Sequence, residues 1–99
     1  MQVDFHGAKY EWDDNKDAAN RKRHGLSFKS AIKVFADLHR VERYDDEHSE
    51  YEERFIVIGM LSDTAVVIQC VYTPRNETIR MISARKATNE ERREYYDRY

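Results

Sequence analysis

Three runs of Val, Ile, Phe and Tyr between Arg54 and Arg85 limit what this chain can fold into more than any other feature. They read Arg-Phe-Ile-Val-Ile-Gly-Met-Leu, Ala-Val-Val-Ile-Gln-Cys-Val-Tyr and Thr-Ile-Arg-Met-Ile-Ser-Ala-Arg. The breaks between them, Ser-Asp-Thr and Thr-Pro-Arg-Asn-Glu, are short and polar. Runs of this length and composition are consecutive antiparallel strands joined by hairpins. The middle run, 65–72, is apolar on both faces, with Val66, Ile68, Cys70 and Tyr72 alternating with Val67 and Val71. Such a strand belongs in the interior of a sheet. Pro74 falls in the second break, where it removes no ladder hydrogen bond. Strict alternation along the last run puts Arg85 on one face with Ile79, Met81 and Ser83.

The flanking segments read as helices and an edge. Val3–Phe5 allows a short strand. A first helix begins in Glu11-Trp12-Asp13-Asp14, with Asp13 as N-cap and with Asp14 and Asp17 at the positive end of the dipole. Its stop signal is Arg21-Lys22-Arg23-His24 followed by Gly25. Ser27 caps a second helix in which Phe28, Ala31, Ile32 and Phe35 form one apolar stripe. Val41–Tyr44 reads as an edge strand, and the acidic block Asp45–Glu53 as a solvated loop. Thr88-Asn89-Glu90-Glu91 is a capping box, and Arg92, Tyr95, Tyr96 and Tyr99 follow on one helical face. The order predicts an α+β fold: an antiparallel sheet of about four strands, two N-terminal helices and one C-terminal helix, in a single domain over 1–99. The expected core is Phe28, Ile32, Phe35, Ile56, Ile58, Val66, Ile68 and Val71.

Composition narrows the function. The net charge is −2, yet acids outnumber Lys/Arg seven to one between 41 and 53, while Lys/Arg outnumber acids five to two between 54 and 88. A polyanion is therefore held by a local patch or not at all. The single cysteine, Cys70, lies mid-strand as a small apolar residue. No apolar run approaches the ~20 residues that span a bilayer, and Met-Gln-Val-Asp-Phe-His does not begin a signal peptide, so the expected location is the cytoplasm, with no membrane partner. There is no Gly-rich phosphate loop and no Cys/His zinc spacing, so no cofactor is expected. His48 with Asp45, Asp46 and Glu50 resembles a metal cluster, but acidic loops often gather such residues without binding one, and no metal is expected.

Few residues stand out for chemistry. His24 is first a partner for the helix C-terminus. His48 sits just before a strand, where acid/base groups are often displayed. Arg85, next to Lys86, needs an anion beside its apolar face: a carboxylate of the acidic block or a phosphate. Arg54, Arg75 and Arg80 extend the positive set. From these residues alone, structural ion pairs are favoured over an active site.

The order of the residues then carries a resemblance. Trp12-Asp13, Lys16, Asn20, Arg23-His24-Gly25, Ser27-Phe28, Ala31, Val34-Phe35 and Asp37 follow WD-x-x-K-x-x-x-N, KHG-x-S/T-F, A-x-x-VF-x-D. His48-Ser49-Glu50, Glu53-Arg54, Gly59, Tyr72-Thr73, Arg75, Arg80, Ile82-Ser83-Ala84-Arg85-Lys86-Ala87, Glu91 and Tyr95 or Tyr96 continue it. From Glu11 to about Tyr96 the chain resembles the BrnT family, the toxin half of the BrnT–BrnA type II toxin–antitoxin systems. It departs at Arg23, where the family usually has Lys, and at Leu38, where it often has Pro. The resemblance implies a RelE-like ribonuclease fold and RNA cleavage that halts translation. It also implies a hetero-oligomer with a BrnA antitoxin of ribbon-helix-helix type, through which alone operator DNA is bound.

Metal-independent RNA cleavage needs a base for the 2′-hydroxyl proton, cations for the phosphorane charge and an acid for the leaving 5′-oxygen. Arg85, Arg54, Lys16, His24 and His48 are the candidates for catalysis. Trp12, Arg75, Arg80 and Lys86 are those for RNA contact, with Trp12 equally suited to the core; it and the C-terminal tyrosines offer stacking faces. Two other readings compete: a non-catalytic interaction module using the acidic segment 45–53, and a DNA-binding regulator. The negative net charge and the lack of a basic recognition helix weigh against the second.

Overall fold

The computed structural model describes residues 1–97. The chain opens with a hairpin of β1 (Gln2–Phe5) and β2 (Ala8–Glu11). Helix α1 (Asp14–His24) follows. Asp13 caps it, accepting from the N–H groups of Asn15 and Lys16 at 2.7 and 3.3 Å. Gly25 ends it in the left-handed conformation at φ 69°, where an L side chain would be strained. The chain then forms α2 (Phe28–Ala31), a 3-10 segment Ile32–Ala36, β3 (Val41–Tyr44) and a second 3-10 turn Asp46–His48. The long strands are β4 (Phe55–Leu61), β5 (Val66–Arg75) and β6 (Thr78–Lys86), and α3 (Asn89–Tyr96) comes last. The six strands form one sheet in the order β1-β2-β6-β5-β4-β3. Among the described residues, only β2 and β6 run parallel.

The expected sheet of about four antiparallel strands is thus a six-stranded mixed sheet; the short strand allowed at Val3–Phe5 is β1, and β2, which was not expected, follows it before the first helix. β1 and β2 have four residues each, too short to show a period. They are held by pairing with β6, more than 65 residues away in the chain (Lys9↔Thr78). Glu11, read as the start of a helix, is the last residue of β2 and meets Arg80 at 3.5 Å. β5 also runs further than expected. Pro74 lies inside it, but two residues beyond the last β4 partner (Phe55↔Tyr72), so its missing N–H faces no strand. Asn76 and Glu77, both at positive φ, make the two-residue turn into β6. Ala65 starts no strand; it sits at φ 56° in the β4–β5 turn.

The second helix is shorter than its stripe predicts. After Ala31 the helix tightens to three residues per turn, which sets Ala31 and Val34 on one face. Both are fully buried, whereas Phe35 is only half-buried. Val34 reaches the sheet at Gly59, where a Cβ would stand 2.7 Å from Val34 Cγ2. That close approach is what the glycine allows.

The two faces of the sheet carry separate cores. On one, α1, α2 and the 3-10 segment cover Val57, Leu61, Ile68, Cys70, Met81 and Ala84. Asn20 fastens α1 there: its amide donates to the Ala84 carbonyl at 2.9 Å and to the Leu26 carbonyl at 2.8 Å. On the other face, Tyr95 of α3 packs with Val41, Ile56, Ile58 and Val67. Of the expected core, Val66 and Val71 are half-buried along with Phe35, and the rest are buried.

A bulge decides what β6 shows to each face. Tyr72 pairs with Met81 but Val71 pairs with Ser83, so Ile82 is an extra residue. Alternation therefore breaks. Ile79 and Met81 face the helices α1 and α2, whereas Ser83 and Arg85 turn to the α3 side, opposite Val71 and Gln69. The expectation that Arg85 shares a face with Ile79 and Met81 is overturned by that one residue.

Candidate active site

α3 covers only part of its face. Beyond it lies an open cleft of about 690 Å³, lined among others by Arg43, His48, Arg54, Gln69, Arg85 and Glu91. Three of the sequence-predicted catalytic residues, Arg85, Arg54 and His48, meet here.

Arg85 is held by α3. Its Nη1 and Nη2 donate to the two carboxylate oxygens of Glu91 at 2.8 and 3.1 Å. This is a two-pronged pair, the geometry a guanidinium would also offer a phosphate. The anion beside Arg85 is therefore the capping-box glutamate and not the acidic block. Glu91 also accepts from the Thr88 N–H at 2.8 Å, while its own N–H donates to Thr88 Oγ1 at 3.1 Å. Burial raises the Glu91 carboxyl pKa, but the hydrogen bonds from Arg85 and Thr88 outweigh it and hold the group below the usual carboxylate range.

Most of the segment 45–54 is exposed, as a solvated loop is, but internal hydrogen bonds tie it together. The Asp45 N–H donates to the Arg54 carbonyl at 2.8 Å. Ser49 Oγ donates to the Asp45 carbonyl at 2.5 Å and accepts from the Arg54 N–H at 3.0 Å. The 3-10 turn brings His48 back over Asp45, with Nδ1 3.0 Å from Oδ2. Glu52 meets Arg75 at 3.0 Å and Arg54 at 3.8 Å. Among the described residues, Arg54 Nε is buried with no hydrogen-bond partner. An unsatisfied buried donor of a cation carries a desolvation cost. Arg43 reaches across to Glu94 of α3 at 3.4 Å.

The other sequence-predicted residues lie elsewhere. Lys16 and His24 are on α1, across the sheet from the cleft, Lys16 exposed and His24 half-buried. Trp12 is 4 % exposed and stands edge-on to Phe28, so of its two readings it fills the core one, with no face open to a base. Arg75 and Arg80 are ion-paired with Glu52 and Glu11. Lys86 borders a shallow hollow with Ala87, Arg92 and Tyr96. Tyr95 is buried, Tyr96 is partly exposed, and Tyr99 lies outside the described residues. Among the described residues no three of His, Cys, Asp and Glu are placed to hold a metal ion. No helix among them is long and apolar enough to cross a membrane.

Sequence reasoning passed over Arg43 and Gln69 as site residues and took Glu91 as a helix cap and part of the family pattern, not as a site residue. The signal for Arg43 was its alternation with Val41 along β3. Nothing local marks Gln69, which reaches the cleft only because β5 pairs with β6.

No curated protein matches the chain. A family model described as the ribonuclease toxin BrnT of type II toxin–antitoxin systems matches residues 12–91. That span runs from Trp12 through both helices and the four strands β3–β6 to Glu91, and it contains every cleft residue named above. By that match the chain belongs to the BrnT family of ribonuclease toxins of type II toxin–antitoxin systems.

Proposed function

We propose that this chain is an endoribonuclease that cleaves RNA in the cytoplasm and halts translation, with the cleft of Arg54, Arg85 and His48 as its site. The observation that carries the proposal is the convergence of these three groups, His48 and Arg54 from the segment 45–54 and Arg85 from β6, on one open cleft beside α3. The antiparallel run β3–β6 supports the RelE-like architecture that the family resemblance implies.

The reaction uses the 2′-hydroxyl of the RNA itself. Its proton is removed, the O2′–P bond forms, and the P–O5′ bond breaks as O5′ takes up a proton. Negative charge builds on the non-bridging oxygens. Arg85 and Arg54 are set to stabilise it, and no step calls on a metal. Arg85 reaches the phosphate by exchanging one two-pronged partner, Glu91, for another. The toxin is silenced by a BrnA-like ribbon-helix-helix antitoxin in a hetero-oligomer, and operator DNA is bound only through that partner. The interaction-module reading is weakened because two carboxylates of segment 45–53 already have partners: Asp45 holds His48, and Glu52 holds Arg75.

The test is to express the wild type, Arg85→Ala and Arg85→Lys, and to score growth arrest, RNA cleavage and thermal unfolding. The wild type is expected to arrest growth and degrade RNA. Arg85→Ala should lose ~10²–10³ in cleavage rate while remaining folded, as for other single charge-stabilising groups. Arg85→Lys should recover little, because Lys keeps the charge but not the fork. Wild-type arrest by Arg85→Ala would remove Arg85 from the site. Copurification with the product of the adjacent gene tests the partner.

A further inference from the structure

We infer that Asp45 is the positioning residue for His48 and fixes it as the proton acceptor of the cleft, an inference that rests on the ribonuclease reading above. Asp45 stands in the acidic block, where carboxylates ordinarily face water, yet its side chain is only 10 % exposed. Its two oxygens lie 3.2 and 3.0 Å from His48 Nδ1. The Asp45 backbone is fixed at both ends, its N–H on the Arg54 carbonyl and its carbonyl on Ser49 Oγ. These backbone bonds hold the turn that carries His48, and burial of the Asp45 side chain keeps its carboxylate against the imidazole.

The chemistry follows from the imidazole. An ionised carboxylate only accepts, so the nitrogen beside it must be the one that bears the proton. Nδ1–H then donates to Asp45, and in the neutral ring the basic lone pair is on Nε2, on the far side. His48 is 60 % exposed and lines the cleft with Arg54 and Arg85. In the step proposed, the 2′-hydroxyl proton moves to Nε2 and the O2′–P bond forms as the P–O5′ bond breaks. O5′ takes a proton from water, and the imidazolium returns its proton to the hydroxide so formed. Asp45 stays ionised throughout and stabilises the imidazolium while it lasts, the role a buried carboxylate has beside a catalytic histidine. A free histidine in water favours the opposite tautomer, so a dyad that serves catalysis leaves a trace even without substrate.

Two readouts on the full-length protein decide the case. The first is the ¹⁵N spectrum of the His48 ring, at a pH where the ring is neutral, in the wild type, Asp45→Asn and Asp45→Ala. The Nδ1–H form is expected in the wild type and the Nε2–H form in Asp45→Ala. A wild-type ring already in the Nε2–H form, or a ring that Asp45→Ala leaves unchanged, would overturn the inference. The second is RNA cleavage by Asp45→Asn, Asp45→Ala, His48→Ala and the double variant Asp45→Ala/His48→Ala. General-base help is worth ~10²–10⁴ in rate, and loss of its positioning partner should remove about 10–10² of that. The double variant should be no slower than His48→Ala alone, because Asp45 acts only through His48. Losses that multiply would mean that Asp45 merely supports the fold. Should Asp45→Ala fail to fold, the isosteric Asp45→Asn carries the same comparison. Wild-type cleavage rates in both Asp45 variants would sink the dyad while the ribonuclease reading stands. A wild type that cleaves no RNA would sink that reading, and the tautomer measurement would still decide the dyad.

Discussion

The two faces of the sheet are built from the same strands and end in opposite states. The face under α1 and α2 is sealed, with Phe28, Val34, Val57, Cys70 and Ala84 fully buried. Aromatic rings close its margin, Tyr10 to Phe35 at 5.2 Å and Phe35 to Tyr72 at 5.3 Å. The opposite face has one helix of eight residues. At 1.5 Å per residue α3 is about 12 Å long, whereas six strands at ~4.8 Å spacing spread over roughly 24 Å. It cannot cover the sheet. Tyr95 anchors it over Val41, Ile58 and Val67, and beside it the face opens into the cleft lined by Arg54, Gln69 and Arg85. One face is thus sealed, while on the other Arg54 and Arg85 stay partly exposed.

The largest expected effect lies on the sealed face. Phe28→Ala should lower the unfolding free energy by ~3–5 kcal/mol in a denaturant titration. A loss under about 1 kcal/mol would erase the contrast between the faces. Next comes Arg85→Ala, with a transition-state loss of about 2.7–4 kcal/mol in RNA cleavage. Its cost in stability should be lower, about 1–2 kcal/mol, since Glu91 keeps its bond to the Thr88 N–H. A stability loss equal to that of Phe28→Ala would make Arg85 a core residue by another name.

Smaller again is Tyr95→Phe. The Tyr95 hydroxyl donates to Asp37 Oδ2 at 2.6 Å, and Asp37 also accepts from the N–H groups of Met60 and His39 at 2.8 and 2.9 Å. Removing the hydroxyl should cost about 1–2 kcal/mol without changing the ring packing. An unchanged thermal midpoint would mean that the Tyr95–Asp37 hydrogen bond adds nothing to the hold on α3. The smallest effect is in acid. Burial raises the Asp37 carboxyl pKa, yet the hydrogen bonds from Met60, Tyr95 and His39 prevail, so its folded value lies below the ordinary 3.8. A depressed carboxylate contributes stability in full above its unfolded value and loses it as pH falls through the folded one. The wild type should therefore weaken below about pH 4. Asp37→Asn should be less stable at neutral pH and flatter in acid, seen as parallel thermal melts across that range.

What was legible in the sequence was local. Asp13, Ser27 and the Thr88/Glu91 box cap the helices as read, because a cap depends on residues two or three apart. The three long strands and the interior place of β5 were also plain from composition. Contacts between distant segments were not. The pairing of β2 with β6 joins two ends of the chain, and the bulge at Ile82 depends on how β6 meets β5. The candidate site divides in the same way. His48, Arg54 and Arg85 meet, while Lys16 and His24 fall behind the sheet, because charge alone does not say which side of a strand a helix will cover.

Ile82 has a consequence for how the chain can vary. Before it, odd-numbered residues of β6 turn to the helix side; after it, even-numbered ones do. Ala84 is fully buried and Arg85 lines the cleft only because one residue has been counted twice against β5. Losing a single residue there would send a guanidinium towards the sealed core and an alanine towards the cleft, with the composition of the strand almost unchanged. β6 is therefore a segment in which substitutions are tolerated far better than insertions or deletions.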